Sequence, residues 1–599
     1  MNWHYRFYEH TEAGNRASLE MLARYGGYVQ LSTIVPIVMI LAARAALQLW
    51  EALSSKIRHT SYENVVCSEE IKVEERTSDA NMNPYFPIIR RLKWWFGHEQ
   101  SIAGCNCGTR GQLVVGGTSV AWILCLCFLE TGDNYNHLTK RFAMLAVALF
   151  PVQFSLSMRY ANPVALALGS SHVELNQWHG LLGCIIQALL TCHAALYINK
   201  YIQLGVLSDA FRFPVVITGF AGFLGLSTLS LSSTAVVRRY SHRLFFITHV
   251  LLAFALPVLV FFHVNPARIY MAQALGIFLL DRGLRKWLAF TAQASLHLVP
   301  GTDLIRITIT APSKLARLLQ RHPGSYVYVA IPPESRPVPN HPIAMLNLAF
   351  KFIDNPFTVA AVNEASCELT LIVRKRNGPM TRHLGSLAAN CSRESSRCGE
   401  TFPIRIEGPH RTARQFNNVL VRGGFDRVLI FAGGIGATFT LPVYQHILQE
   451  NPQARVDMFW ALRCASDAAW ATTASEMQES VLKDERIHIF ITREQQAKEE
   501  EGEALEGTAN ADSVYHLEPG VADTSRRCRT RQTLSGVRYT LQRPNLKSIV
   551  DGAFQDHPED RVAILVCGPL ALKRELREQI DPWVKRGRHV WWQYETFSS

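Results

Sequence analysis

Two pairs of histidines with the same spacing lie within long apolar segments of this chain. His179 and His193 are fourteen positions apart, and His249 and His263 repeat that separation. Because an α-helix turns by about 100° per residue, fourteen steps return to within roughly 40° of the starting direction, so each pair lies on one side of its helix. The two rings of a pair are then roughly 21 Å apart. Two such helices side by side would present one histidine from each helix at two depths.

This arrangement suits two haems stacked through a bilayer, each iron held by two imidazoles. A single histidine on an apolar helix is more often an ordinary core residue, but an ionisable residue inside a membrane is costly and is usually functional. The repeated spacing further favours ligation. Neutral imidazole is the ligating form, so burial in lipid does not conflict with this role. The predicted haem ligands are His179, His193, His249 and His263.

Apolar segments crowd the part of the chain before residue 295, and the remainder has the composition of a soluble protein. Segments of roughly twenty apolar residues are long enough to cross a bilayer. Lysines and arginines concentrate in alternate loops, so the positive-inside rule places the N-terminus outside and the C-terminal half in the cytosol. His179 and His249 then form the inner pair. The sequence predicts seven membrane helices, at 28–49, 112–129, 141–158, 178–200, 214–235, 244–263 and 267–287.

After residue 290 the pattern changes to short strands. Segments such as LIRITIT and YVYVAIP predict a small antiparallel barrel, and four later apolar strands separated by helical stretches predict a parallel α/β sheet. The fold class is therefore multi-domain, with an α-helical membrane bundle, an antiparallel barrel and an α/β domain. The predicted divisions are an N-terminal region with the first membrane helix and a cytosolic loop (1–111), the haem-binding bundle (112–290), the barrel (291–420), and the α/β domain (421–599) with a disordered insertion at 494–540.

A glycine-rich turn follows the first strand of the α/β domain. Gly433, Gly434 and Gly436 lie between the strand RVLIFA and a helix start, where backbone amides can approach a pyrophosphate. A simple tight strand–helix turn would give the same pattern. Cys567 and Gly568 follow a later strand, VAILVC, and ligands gather at such carboxyl ends of an open sheet.

Two arginines end neighbouring strands of the same sheet. Arg463 and Arg493 would favour NADPH over NADH if each met a ribose phosphate, although a solvated arginine at a strand end is an equally ordinary outcome.

The barrel contains a candidate flavin site. Thr358, after Pro356 and Phe357, is placed to hydrogen-bond a flavin edge while the phenyl ring shapes the cavity. Arg374 and the segment through Thr381 could hold a flavin pyrophosphate by charge and by backbone amides.

Together these motifs resemble the fungal ferric reductase family, which is related to the NADPH oxidases. The doubled histidine spacing, PFTVA, AGGIGATFTLP and CGP carry the resemblance, which spans roughly 112–599. It implies two b-type haems, an FAD-binding barrel and a ferredoxin reductase-like NADPH-binding lobe. Carried over, the FAD contacts are Pro356, Phe357, Thr358, Arg374 and Thr381. The NADPH contacts are Gly433, Gly434, Gly436, Thr438, Arg463, Arg493, Cys567 and Gly568.

The chain departs from the family pattern at the flavin motif. The family usually has His before Pro-Phe-Thr, and here Asn355 occupies that position. A His-Pro pair occurs earlier, at His341, so that 341–354 looks inserted between a normal histidine and its motif.

The resemblance implies a plasma-membrane ferric-chelate reductase that serves iron uptake, moving electrons from cytosolic NADPH to extracellular Fe(III). Three alternatives stay open: a superoxide-producing NADPH oxidase, a cupric reductase, and an impaired member acting as a partner or sensor. The oxidases normally show a thirteen-residue spacing on the second haem helix, against the fourteen seen here. Asn355 and the inserted segment favour the impaired member.

The formal charge of +12 does not indicate a nucleic-acid partner, because the charges lie largely at the ends of apolar segments. The expected partners are membrane lipid and extracellular ferric, or alternatively cupric, chelates. A homo-oligomer is compatible with the sequence.

Overall fold

The computed structural model divides into two compact units, Met1–Trp287 and Leu288–Ser599. The residues that it describes are 5–8, 12–61, 86–102, 105–336, 354–393, 401–410, 424–472, 481–492, 538–557 and 559–595. Arg493, 341–353 and most of 494–540 lie outside these ranges.

The first unit is helical apart from a small hairpin, β1 (Glu99–Ile102) and β2 (Cys105–Thr109). Its helices are α1 (Glu12–Ser61), α2 (Phe86–Phe96), α3 (Arg110–Phe128), α4 (Tyr135–Ala148), α5 (Phe150–Ser157), α6 (Pro163–Leu168), α7 (His172–Gln203), α8 (Leu207–Ala210), α9 (Pro214–Ser232), α10 (Ala235–Tyr240), α11 (His242–His263) and α12 (Arg268–Leu288).

Five helices of the described residues are long and apolar enough to cross a membrane, where seven were predicted. They lie in α1, α3, α7, α9 and α11. Large apolar side chains such as Leu251 and Phe262 of α11 are exposed, as expected of surfaces that face lipid. The predicted first span, 28–49, is only part of the much longer α1, which continues through Pro36.

The other two predicted spans are helical but differ in character. The predicted span 141–158 is divided between α4 and α5, with Pro151 near the start of α5. Eleven of the fourteen residues of α4 are buried, so this helix lies inside the bundle rather than against lipid. The predicted span 267–287 corresponds to α12, which carries Asp281, Arg285 and Lys286 and is too polar to count as a span.

The start of α4 differs from the prediction in a second way. Arg141 is the first residue of the predicted span 141–158, and its side chain is fully buried. Its guanidinium contacts the Nε2 atom of His137 at 2.8 Å and lies 3.6 Å from the centroid of the Tyr25 ring. These contacts compensate the burial of the charge, so Arg141 is a packing residue of the bundle and not a topological signal.

The capping of α7 and α11 follows directly from the sequence. Ser171 and Glu174 form a reciprocal capping box at the start of α7. The Ser241 hydroxyl accepts a hydrogen bond from the Leu244 amide and begins α11. These caps fix where the two histidine-bearing helices begin.

The second unit contains a closed six-stranded barrel and a six-stranded parallel sheet. The barrel order is β3 (Phe290–Leu298), β4 (Leu304–Thr310), β7 (Glu368–Arg374), β6 (Asn355–Asn363), β5 (Tyr326–Ala330) and β8 (Phe402–His410). The sheet order is β12 (Tyr539–Thr540), β11 (Ile487–Ile491), β10 (Arg455–Leu462), β9 (Arg427–Gly433), β13 (Val562–Cys567) and β14 (Val590–Glu595). Its helices are α13 (Ser313–Gln320), α14 (Pro379–Arg393), α15 (Ala437–Glu450), α16 (Ala469–Thr472), α17 (Leu546–Gln555) and α18 (Leu570–Lys585).

The predicted architecture of bundle, antiparallel barrel and α/β sheet is confirmed. Every barrel pairing is antiparallel and every pairing of the sheet is parallel. Strand order reverses at β9, which lies between β10 and β13. Such a reversal opens a crevice at the carboxyl ends of the strands, and α15, which begins there, packs against β6 of the barrel.

Candidate functional site

The four histidines of the bundle form two pairs, with one member of each pair on α7 and one on α11. The ring centroids of His179 and His249 are 6.0 Å apart. His193 and His263 lie fourteen residues further along the same two helices. The contact of His179 with His249 across the two helices is the one that the spacing predicts.

The separation of His179 and His249 fits a metal held between them. An iron bound by two imidazole nitrogens at about 2.0 Å each, with each nitrogen about 1.1 Å from its ring centre, requires centroids about 6 Å apart. The observed distance matches this requirement. The geometry therefore suits a haem with two axial histidines.

Each of the four rings uses its Nδ1 atom for a hydrogen bond within the bundle. His179 Nδ1 lies 3.0 Å from the Gln153 carbonyl oxygen, and His193 Nδ1 lies 2.8 Å from the Thr139 carbonyl oxygen. A carbonyl can only accept, so the Nδ1 atom of each ring carries the proton. The Nε2 atom of His193 is then left with its lone pair available to a metal, whereas the Nε2 atom of His179 accepts a hydrogen bond from the Gln153 side-chain amide at 3.4 Å, which a bound metal would replace.

The two histidines of α11 also form a hydrogen bond through Nδ1. His263 Nδ1 donates to the Val215 carbonyl oxygen at 2.7 Å, and His249 Nδ1 lies 3.1 Å from the Ser233 hydroxyl oxygen. Sequence reasoning missed these partners, because Gln153, Thr139, Val215 and Ser233 lie on other segments and have no local signature.

A glycine on α9 makes room for one of the rings. A Cβ atom added at Gly219 would lie 2.5 Å from the Cε1 atom of His263. Gly222 and Gly225 follow at three-residue intervals, and Gly225 has Leu256 of α11 at 3.1 Å from its virtual Cβ. Glycines repeated on one helix indicate close helix packing, so this spacing could have predicted that α9 packs against α11.

The glycine-rich turn lies at the strand reversal of the parallel sheet. Cβ atoms added at Gly433 and Gly436 would overlap the turn that follows β13, at Pro569 Cδ and the Cys567 carbonyl oxygen respectively. Gly434 has a φ of +55° and open space around its Cα, and its carbonyl accepts a hydrogen bond from the Trp460 indole at 2.9 Å. Gly433 and Gly436 therefore join the two strand ends, and Gly434 is the open position of the turn.

The other predicted nucleotide contacts are distributed around this crevice. Thr438 is buried and donates its hydroxyl hydrogen to the Ile435 carbonyl at 2.9 Å. Burial raises the pKa of the Cys567 thiol well above its usual value, with the Glu595 carboxylate adding to the effect, so this thiol is neutral. Arg463 follows β10 and is exposed. Gly568 packs against Gly433, with the Gly433 nitrogen 3.0 Å from its virtual Cβ.

The predicted flavin residues lie on two strands and one helix of the barrel. Thr358 is buried on β6, and its hydroxyl oxygen has no hydrogen-bond partner in the part of the chain that the structure describes. Phe357 is half-buried and Pro356 is exposed. A buried hydroxyl without a partner is costly, and a flavin edge would satisfy it.

Arg374 and Thr381 are already engaged within the protein. The Arg374 guanidinium pairs with the Asp467 carboxylate at 3.2 Å, while its buried Nε atom has no partner among the described residues. The Thr381 hydroxyl donates to the Arg376 carbonyl at 3.0 Å and accepts from the Arg376 amide at 3.2 Å. Thr381 therefore closes the loop before α14.

A helical unit with five helices apolar enough to cross a membrane is thus followed by an antiparallel barrel and a parallel sheet among the described residues. Residues 142–260 match the family described as ferric reductase like transmembrane component, and residues 425–581 match the ferric reductase NAD binding domain. The chain therefore contains both ferric reductase domains, and the predicted resemblance to this family is confirmed.

Fungal relatives extend the similarity over most of the chain. A "Probable metalloreductase AIM14" of Scheffersomyces stipitis is 23% identical over 78% of this chain and 83% of its own length. "Ferric/cupric reductase transmembrane component 2" of Schizosaccharomyces pombe is 22% identical over 77% of this chain and 81% of its own. Among solved structures, a flavohemoglobin from Malassezia yamatoensis aligns with a TM-score of 0.32 at 12% identity, covering 77% of this chain and 97% of that one.

Proposed function

We propose that the protein is a transmembrane ferric-chelate reductase that moves electrons from cytosolic NADPH to Fe(III) outside the cell, at the plasma membrane. When bound, NADPH would supply a hydride to FAD, and the flavin would release its proton and pass its two electrons singly to two b-type haems spanning the bilayer. The observation that supports this most strongly is the histidine geometry. His179 and His249 meet across α7 and α11, and all four rings engage Nδ1 in a hydrogen bond.

The protein's own residues position and insulate these groups. His179 and His249 would hold the inner haem, and His193 and His263 the outer haem. The backbone and hydroxyl partners of Nδ1 hold the four rings in one tautomer and orientation, which keeps Nε2 directed to iron. No general acid or base is required, since electron transfer needs placement rather than proton transfer.

In the second unit, Gly434 and the start of α15 would hold the pyrophosphate of NADPH, and Thr358 would bond the flavin. Contact between α15 and β6, the strand that carries Thr358, supports a nicotinamide site that would adjoin the flavin site within this unit. Arg463 and Arg493 would select the 2′-phosphate.

The experiment that tests the function follows haem colour in membranes that contain the protein. NADPH alone should reduce the haems, and a ferric chelate added afterwards should reoxidise them. Haems that NADPH leaves oxidised would contradict the proposal. Reoxidation by oxygen alone at the same rate as by the ferric chelate would favour the superoxide-producing alternative.

Substitution of Gly219 by alanine should eject the outer haem. The added methyl group would occupy the position of the His263 ring, so the haem content should fall from about two to about one per chain. Extracted haem per mole of purified protein measures this. Gly180→Ala on α7 is the matched control, since nothing lies within 4 Å of its virtual Cβ. Equal haem content in the two variants would contradict the placement of His263.

Substitution of Thr358 by valine should weaken FAD binding about tenfold, because the flavin would lose a hydrogen bond to a buried hydroxyl. The stability of the flavin-free protein should not fall, since valine replaces the unsatisfied hydroxyl with a methyl group of similar volume. Flavin titration and thermal unfolding measure the two effects. Thr308→Val, on β4 of the same barrel, is the control and should leave FAD affinity unchanged. A loss of flavin-free stability in Thr358→Val would show that the hydroxyl serves the barrel instead.

A further inference from the structure

A polar cavity of about 330 Å³ adjoins the proposed outer haem site. It lies between the start of α4 and the end of α7, and residues of the N-terminal segment and of α1 complete its wall. Tyr197 lines the cavity and packs edge-on against His193, with 5.0 Å between ring centroids. One aromatic ring therefore separates the cavity from a proposed haem ligand.

The lining of this cavity is cationic. Lys140 and Lys200 both contribute to it, and none of its lining residues is acidic. The Lys200 ammonium lies 6.0 Å from the centroid of the Tyr197 ring. Among the residues that the structure describes, neither lysine forms an ion pair with a carboxylate. Two unpaired like charges on one cavity attract an anion.

The same cavity presents neutral hydrogen-bonding groups. Tyr201 adds a phenol group to its wall and Asn136 adds an amide, whereas the hydroxyl of Tyr8 donates its hydrogen to the Asp133 carboxylate. A ligand with several oxygens would accept hydrogen bonds from these groups and from the two lysines.

We propose that this cavity binds a small anionic carboxylate chelate of Fe(III), of the hydroxycarboxylate type. The proposal rests on the proposed function, because it assigns a docking place to the acceptor of that reaction. A carboxylate-rich chelate offsets the repulsion between Lys140 and Lys200 and holds the metal one aromatic ring away from His193. A neutral chelate would gain no electrostatic attraction from Lys140 or Lys200.

Binding of Ga(III)–citrate tests the proposal, since gallium has the charge of Fe(III) but is not reduced. The full-length, haem-loaded protein in nanodiscs of neutral phospholipid is titrated without NADPH. Lys140→Gln and Lys200→Gln should each weaken binding about fivefold to tenfold, because each removes a charge-assisted contact. Lys200→Arg should retain most of the affinity. Arg212→Gln is the control for charge at the same end of the bundle, since that side chain is 83% exposed and does not line the cavity; its affinity should remain within about twofold.

The haem spectrum of each preparation reports separately on the fold and on the proposed function. Intact haem spectra with binding that depends on both lysines support the cavity as the chelate site. Unchanged affinity in a Lys140→Gln, Lys200→Gln double variant would overturn it, as would inorganic phosphate that competes as well as citrate chelate. Absent haem in the unaltered protein would instead contradict the proposed function, whatever the cavity binds.

Discussion

Replacing His193 with alanine is expected to abolish metal reduction across the membrane. The outer haem would lose one of its two axial ligands, and the space beside the Thr139 carbonyl would hold no imidazole to replace it. The haem content should fall to about one per chain, and ferric-chelate reduction should drop at least about a hundredfold, because a single remaining hop cannot cross the bilayer quickly. NADPH should still reduce the flavin and the inner haem.

The matched control is His242→Ala. His242 also belongs to α11, but it is exposed at the start of the helix and belongs to neither pair. Its substitution should leave haem content and metal reduction close to those of the unaltered protein. Metal reduction near the normal rate in His193→Ala would contradict the assignment of the outer haem.

Replacing Gly436 with alanine should disable the entry of electrons from NADPH. The new Cβ would overlap the backbone carbonyl of Cys567, and a backbone atom cannot rotate away as a flexible side chain can. The two strand ends would separate, at a cost of about 3 kcal/mol or more. Reduction of the haems by NADPH should fall at least about a hundredfold, while dithionite should still reduce them.

Gly552→Ala provides the control within the same sheet domain. Gly552 lies in α17 with nothing within 4 Å of its virtual Cβ, so alanine there should be neutral or slightly stabilising. Stopped-flow absorbance after mixing with NADPH compares the two variants. Normal haem reduction in Gly436→Ala would show that the close approach at Cys567 is not needed for the NADPH site.

Local patterns were sufficient to predict the elements that carry the candidate sites. The fourteen-residue spacing returns to one helix face regardless of what surrounds the helix, so the pairing of His179 with His249 could be predicted. Alternating apolar residues likewise located β4, and a continuous apolar run located β9, since these strands bury their side chains in the barrel and the sheet.

Long-range contacts account for what the sequence did not predict. The Nδ1 partners of the histidines come from helices or loops far along the chain, such as Thr139 for His193. Burial of Arg141 depends on Tyr25 of another helix, which no local pattern around Arg141 indicates. The division between α4 and α5 illustrates a further limit. Hydropathy averaged over the segment reads it as continuous and does not register Pro151.

The effect on FAD binding of the departures at the flavin motif remains a prediction. Asn355 begins β6 and pairs with Val329, so the strand itself forms without the histidine usual in the family. The segment 341–353 lies outside the described residues. Flavin content after reconstitution therefore decides between the active reductase and the impaired member.

The central claim is that two helices of this chain hold two haems at two depths. Haem extracted from the purified full-length protein, divided by the protein concentration from amino-acid analysis, tests it most directly. The account predicts a ratio of two, with a Soret band typical of an iron held by two histidines. A ratio of one or zero would contradict it.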